Sequence, residues 1–287
     1  MRKFRLSMER RHILEGYVFV LPFVVGIIAF FLFPLYVSIK LSFGELVRMV
    51  GFEIQWTGLD NFKRAFLVDI EFLPMFLRVI NQTLLKAPLI IIFSVILAIL
   101  VNKSIRFRGF FRTVFFIPFL LGTGGVMQQL LDLRVDKALI SIADGGLIPR
   151  ELLMYLGPTA VSGIDTFFGI IVAVLWSSGV QILLVLSGLQ NIPVSLYESA
   201  KIDGATGWEM FWKITLPMLS PVLVLVIIYT LVDSFTGMVN PILSYIKEMA
   251  FINLDFEYAA AMGWIYFAFI ILMVLLVMAV FSKKIQI

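Results

Sequence analysis

The chain has 287 residues, of which 61% are hydrophobic and 15% charged, with a formal net charge of +4 and a mean hydropathy of +1.01. Soluble domains carry about 25% charged residues, so the composition excludes a water-soluble globular fold and places the chain in a lipid bilayer. Cysteine is absent and the single histidine, His12, sits in a basic N-terminal tail, which excludes disulfides, thiolate or histidine metal sites, and cysteine or histidine catalysis.

Apolar runs at Tyr17–Ile39, Leu84–Val101, Phe110–Leu131, Thr166–Leu189, Leu216–Val232 and Tyr258–Phe281 each approach the roughly 20 residues that cross a bilayer as a helix. The expected fold is an all-α polytopic membrane protein of about six transmembrane helices. Arg2, Lys3, Arg5, Arg10 and Arg11 precede the first run. That run is longer than the ~7–15 residue core of a signal peptide and no small-x-small cleavage site follows it, so it is expected to stay as a span. Residues 1–16 then form a basic tail, 17–282 the transmembrane domain and 283–287 the C-terminus. Prolines 22, 34, 88, 118 and 221 each remove a backbone hydrogen bond, which predicts kinks in the spans.

Lys86 is the one charge inside the second run and lies two residues from its outer end. It is either a pathway residue, as ionisable groups in spans tend to be, or a lysine snorkelling to the headgroups. Lys103, Arg106, Arg108 and Arg112 follow that run, and Lys283 and Lys284 follow the last. Short lysine- and arginine-rich segments stay in the cytoplasm, so both termini and the connection at about 190–216 are expected there. The segments near 42–74, 132–163 and 240–257 then face outward. Gly122-Thr123-Gly124-Gly125 lacks the Gly-Lys-Ser/Thr of a phosphate loop and reads as a site of close helix packing. Gln128 and Gln129 in the third run and Gln181 in the fourth either line a pathway or hydrogen-bond between helices.

Between the fourth and fifth runs lies a polar, helix-forming island, Glu198-Ser199-Ala200-Lys201-Ile202-Asp203-Gly204-Ala205, followed by Phe211, Ile214, Leu216 and Pro217. A connection with no docking role needs no such segment, so it reads as a contact surface. Ala200 and Ala205 would let another protein approach closely, while Gly204 permits either a close contact or a helix stop. Glu198 is a charge for a basic partner or a solvated carboxylate.

The spacing of Glu198, Ala200, Gly204, Ile214, Leu216 and Pro217 resembles the cytoplasmic "EAA" loop of permease subunits in binding-protein-dependent ATP-binding-cassette importers, with Ser199 where that family usually has alanine. Trp176, the run Gly188-Leu189-Gln190-Asn191-Ile192-Pro193, Tyr197, Asp203-Gly204-Ala205 and Phe211 are similar to the carbohydrate branch. So are Trp56-Thr57-Gly58-Leu59-Asp60-Asn61-Phe62, Asn81-Gln82-Thr83-Leu84, Arg106-x-Arg108-Gly109 with Phe115-Phe116-Ile117-Pro118, and Tyr258-Ala259-Ala260-Ala261-Met262. Many relatives carry Gly-Gly-Pro after the fifth span, where this chain has Gly237-Met238-Val239-Asn240-Pro241. The resemblance, closest to the first permease subunit of the maltose and glycerol-3-phosphate type, implies alternating-access import of a sugar. It also implies a coupling helix between the fourth and fifth spans, a second permease subunit, two cytoplasmic ATPase subunits and an extracytoplasmic solute-binding protein. The chain has no Walker A motif, so no cofactor is expected on it, and ATP with its magnesium belongs to the partners.

Tyr229, Asp233, Ser234 and Asn240 recur at roughly helical spacing, which would align an aromatic ring, a carboxylate and polar groups suited to sugar hydroxyls. Hydrogen bonding between helices is the rival reading. The competing functional class is an autonomous six-span transporter or channel, which should show buried charge pairs or broken helices near the midplane. No nucleic-acid partner is expected.

Overall fold

The computed structural model describes residues 8–48, 53–102, 174, 177–237 and 240–282. The third predicted run, residues 166–173, 175 and 176 of the fourth, Pro118, Gly122 to Gly125, Gln128 and Gln129 lie outside them. The described helices are α1 (Met8–Ile27), α2 (Phe33–Ser42), α3 (Asp60–Lys63), α4 (Phe72–Asn102), α5 (Gly179–Gln190), α6 (Val194–Ile202), α7 (Gly207–Met210), α8 (Leu216–Thr236), α9 (Pro241–Phe251) and α10 (Phe256–Ser282). The chain divides into two compact units, one built from residues up to Arg78 with Met238–Ile270, the other from Val79–Gly237 with the C-terminal end of α10.

In the first unit, α1 already includes Arg10 and Arg11 of the basic tail. A π-helical turn at Ile28–Leu32 joins α1 to α2. Pro34, in the first turn of α2, cannot donate to the carbonyl one turn back, and it follows directly on the widened turn, where the Phe33 N–H donates to the Ile28 carbonyl. Glu15–Ser42 thereby forms one span of 28 residues whose apolar window is 0% buried against the described chain. Each large apolar side chain left in water forgoes about 1.5–3 kcal/mol, so lipid or another protein must cover this helix.

A short antiparallel hairpin, β1 (Gly44–Arg48) and β2 (Glu53–Trp56), follows, an addition to the all-helical expectation. The Gly58-Leu59-Asp60-Asn61-Phe62 element explains how it is held. Thr57 and Gly58 donate their N–H groups to the Phe43 carbonyl at 3.1 Å, Gly58 has φ +76°, and Asn61 Nδ2 donates to the Gly44 carbonyl at 2.9 Å. Phe43 packs between Trp56 and Phe62, with ring centroids at 5.4 and 4.9 Å. Side-chain space is absent at Gly44, where a Cβ would run into Ile54 and the Gln55 carbonyl.

Helix α4 starts twelve residues before the predicted Leu84, because Asp69 caps it: Asp69 Oδ1 accepts from the N–H groups of Glu71 at 2.8 Å and Phe72 at 2.9 Å. The other carboxylate oxygen accepts from the hydroxyls of Tyr245 on α9, at 2.9 Å, and Tyr258 on α10. Arg64 Nη1 lies 2.7 Å from Asp255 Oδ2 and its guanidinium stacks 4.0 Å from the Tyr258 ring centre. Asp255 Oδ1 accepts from the Tyr258 N–H at 3.2 Å and caps α10. Burial pushes the Asp69 carboxyl up, but the four hydrogen bonds outweigh it and hold the group below its ordinary value. Burial and the bond to Asp69 push the Tyr245 hydroxyl up, so it stays a donor.

In the second unit, the core is Ala98 and Val101 of α4, Ile182, Val185, Leu186 and Leu189 of α5, Ile192, and Leu219 and Val226 of α8. The residues buried along α4 from Phe72 to Val101 recur at steps of three and four, as one helix face requires. Gly188 sets the closeness of α5 to α8: a Cβ there would lie 2.9 Å from Leu219 Cδ2 and 3.0 Å from Val222 Cγ2. Gly188→Leu is therefore expected to overpack this contact by about 1–3 kcal/mol, lowering the melting midpoint of the detergent-solubilised protein, with Gly188→Ala intermediate. An unchanged midpoint for both variants would show that the two helices separate freely.

Kinks at the spanning prolines do not set the large bend. Glu15–Ser42, Phe72–Asn102 and Gly207–Thr236 each run through their prolines as one span, whereas α5 and α6 meet at 64° across Asn191-Ile192-Pro193. The described helices give 4 spans, or 5 if that bent pair counts as one.

Candidate functional site

Helix α6 carries the polar island. Pro193, at φ −60° and ψ 130°, ends the preceding turn in extended geometry and serves as the N-cap; proline's lack of an N–H costs nothing where no intrahelical acceptor is available. The far end is a Schellman closure. The Gly204 N–H donates to the Lys201 carbonyl at 3.1 Å and the Ala205 N–H to the Ala200 carbonyl at 2.9 Å, with Gly204 at φ +77°. A Cβ at Gly204 would meet nothing within 4 Å. Among the described residues the glycine is thus required for its left-handed backbone as a helix stop, and not for a close approach.

No residue of α6 is buried. Glu198, Ser199 and Asp203 are exposed, and Ala200 and Ala205 half-buried. The Glu198 carboxylate makes no hydrogen bond or ion pair with another described residue. Three apolar side chains, Val194 at 68%, Leu196 at 40% and Ile202 at 87% exposure, project from the same nine-residue helix. Among the described residues one side-chain hydrogen bond ties the helix down: the Tyr197 hydroxyl is 2.9 Å from Thr215 Oγ1, and Tyr197 and Ile214 pack on the core of this unit.

The segment after α6 is helix too, not the loop expected up to residue 216. Thr206 and Glu209 form a reciprocal capping box at the start of α7. A π-helical turn at Phe211–Thr215 then leads into α8, where Pro217 stands in the first turn, the same device as at Pro34. Phe211, Ile214, Leu216 and Pro217 are therefore the opening turns of a continuous helix, Gly207–Thr236. Thr206-x-x-Glu209 was a readable start signal; Tyr197 and Thr215, 18 residues apart, carry no pattern that announces their bond.

The predicted pathway residues separate into two groups. Tyr229 and Asp233 stand one turn apart on α8 and are both half-buried; Ser234, also half-buried, is about 100° further round the helix. Helix α8 ends at Thr236, so Asn240 does not extend this face. It caps α9, accepting from the Ile242 N–H at 2.9 Å, and its Nδ2 donates to the Tyr266 hydroxyl at 2.6 Å. Gln181, in the first turn of α5, is 0% exposed, and among the described residues neither its Oε1 nor its Nε2 has a hydrogen-bond partner. Lys86 is half-buried near the middle of α4.

Residues 71–283 match the model of the binding-protein-dependent transport system inner membrane component. The chain belongs to that family. Among curated relatives, this permease is 28% identical to the probable ABC transporter permease YesP of Bacillus subtilis, over 89% of this chain and 86% of that one. It is 31% identical to the lactose transport permease LacF of Rhizobium radiobacter, over 81% and 75%, and 30% identical to the trehalose/maltose permease MalF of Thermococcus litoralis, over 79% and 76%. A crystal structure of a bacterial ABC transporter that imports the acidic polysaccharide alginate matches with a TM-score of 0.66 at 20% identity, covering 98% of both chains, which supports the permease fold.

Proposed function

We propose that this permease forms half of the translocation pathway of an ATP-driven importer for a sugar or oligosaccharide. It works by alternating access beside a second, related permease subunit, with two cytoplasmic ATPase subunits and an extracytoplasmic solute-binding protein. The observation that carries this reading is α6: a short helix with no buried residue, with a glutamate unpaired among the described residues and three exposed aliphatic side chains, closed at Gly204 and anchored at Tyr197. A helix with that surface has a use only where another protein receives it. The positive-inside arrangement supports a cytoplasmic position for α6 and for both termini, where an ATPase would meet it. The transport activity is coupling and gating, and the bond-breaking chemistry stays with the ATPase. The named substrates of the relatives, lactose and trehalose or maltose, support a carbohydrate cargo.

Within the spans, Asp233 with Tyr229, and Gln181, are the groups proposed to meet the sugar. A fully buried amide whose four hydrogen-bond positions go unused among the described residues leaves roughly 1–3 kcal/mol unrecovered, and a sugar hydroxyl or a rearranged helix would recover it. Asp233→Asn is expected to change apparent affinity or selectivity across a panel of oligosaccharides at least ~10-fold, the effect of ~1.4 kcal/mol, while subunits still co-purify. Uptake kinetics identical to those of the parent for every sugar would remove Asp233 from the pathway. Failure of ATPase subunits to co-purify with the parent chain would overturn the importer reading itself.

A further inference from the structure

Three aromatic rings open the Gly207–Thr236 span. Trp208, Phe211 and Trp212 lie on one side of its first turns, with centroids 5.5 Å apart for Trp208 and Trp212 and 5.2 Å for Phe211 and Trp212. Trp208 is 70% and Trp212 49% exposed, and neither indole N–H donates to a described residue of this chain. Lys213 follows, its ammonium 3.6 Å from Glu209 and 76% exposed. Such a cluster buries little within the chain, so its surroundings must supply both apolar cover and hydrogen-bond acceptors.

The length of the helix says what those surroundings are. At about 1.5 Å per residue, the 21 residues of α8 make ~32 Å, enough to fill the ~30 Å hydrocarbon layer. The full 30 residues from Gly207 reach ~45 Å, the thickness of a bilayer with its headgroups. Residues 208 to 212 therefore stand about 6–12 Å beyond the hydrocarbon edge, in the layer where tryptophan is enriched because its ring is apolar and its N–H seeks an acceptor. We propose that Trp208, Phe211 and Trp212 form a seat in the lipid headgroup layer and that Lys213 faces the phosphate of an anionic lipid there. The seat fixes the depth of the span next to α6.

The test uses the purified permease in vesicles made with phosphatidylglycerol brominated either near the headgroup or near the end of its acyl chain. The emission lost in Trp208→Phe with Trp212→Phe isolates the signal of those two rings; each single variant is recorded as well, so a folding failure of the pair leaves a reading. Shallow bromine is expected to quench this emission and deep bromine to leave most of it. Lys213→Gln is expected to reduce quenching by brominated phosphatidylglycerol about fivefold relative to brominated phosphatidylcholine, the factor that ~1 kcal/mol per lysine near an anionic surface gives. No quenching by either lipid would mean that protein covers the rings and would overturn the seat. Equal quenching of parent and Lys213→Gln would overturn the role of the lysine.

Discussion

Gly204→Val is expected to abolish sugar uptake and binding-protein-stimulated ATP hydrolysis while the permease still inserts into the membrane. At φ +77° a β-branched residue suffers the full clash of Cβ with the following carbonyl, roughly 1–2 kcal/mol. The strain is relieved by leaving the left-handed region, which breaks the closing bonds from Gly204 to Lys201 and from Ala205 to Ala200. The last turn of α6 then unwinds, and Glu198, Ala200 and Ile202 lose their fixed relation to Tyr197. Gly204→Asn is the matched control: asparagine tolerates this backbone and is expected to keep most of the coupling, although it adds more bulk than alanine. Glu198→Lys, which leaves the backbone alone and reverses the charge offered to a basic partner, is expected to lose stimulation as well. Subunit stoichiometry and ATPase activity with and without the binding protein decide the matter. Normal stimulation in both Gly204→Val and Glu198→Lys would remove α6 from the coupling path.

The position of α6 was legible because its signals are local. Pro193 before it, Gly204 after it and the alanines and glutamate between them act within one or two turns, and hydropathy alone marks the spans on either side. The choice between a glycine stop and a glycine contact at position 204 was not legible, since both demand the same residue. Other features needed tertiary knowledge. Asp69 sits three residues before Phe72 in a form that any helix cap shares, but its partners Tyr245 and Tyr258 are 176 and 189 residues away, and no periodicity connects them. The hairpin at Gly44–Trp56 alternates over too few residues to stand out beside runs of twenty apolar ones. Asn240 was misplaced for the opposite reason. Its spacing from Asp233 fits a helix, yet Gly237 ends α8, and Asn240-Pro241 is the start signal of the next helix.

Asp69→Ala is expected to be the most destabilising single change in the first unit. One carboxylate there does two jobs, ending the orphaned N–H groups of α4 and accepting from tyrosines on α9 and α10. Loss of the cap accounts for about 1 kcal/mol. Each tyrosine hydroxyl bonded to a charged acceptor adds about 1.5–3 kcal/mol, discounted because Asp69 is only partly buried. A total of roughly 2–4 kcal/mol follows, read as a lower melting midpoint in detergent and faster proteolysis near residues 241–255. Tyr245→Phe and Tyr258→Phe should each lose less than Asp69→Ala. Combined with Asp69→Ala they should add little, because the acceptor they would miss is already gone. The pH dependence has a fixed sign. Asp69 titrates lower in the folded protein than in the unfolded chain, so its contribution is fully present above the ordinary carboxylate value of about 3.9 and is lost as pH falls from there through the lower folded value. The parent should therefore lose stability relative to Asp69→Ala across that acid window and nowhere near neutrality. A parent-to-variant difference that fell away between pH 6 and 8, or strict additivity with the tyrosine variants, would show that this carboxylate does not hold the three helices together.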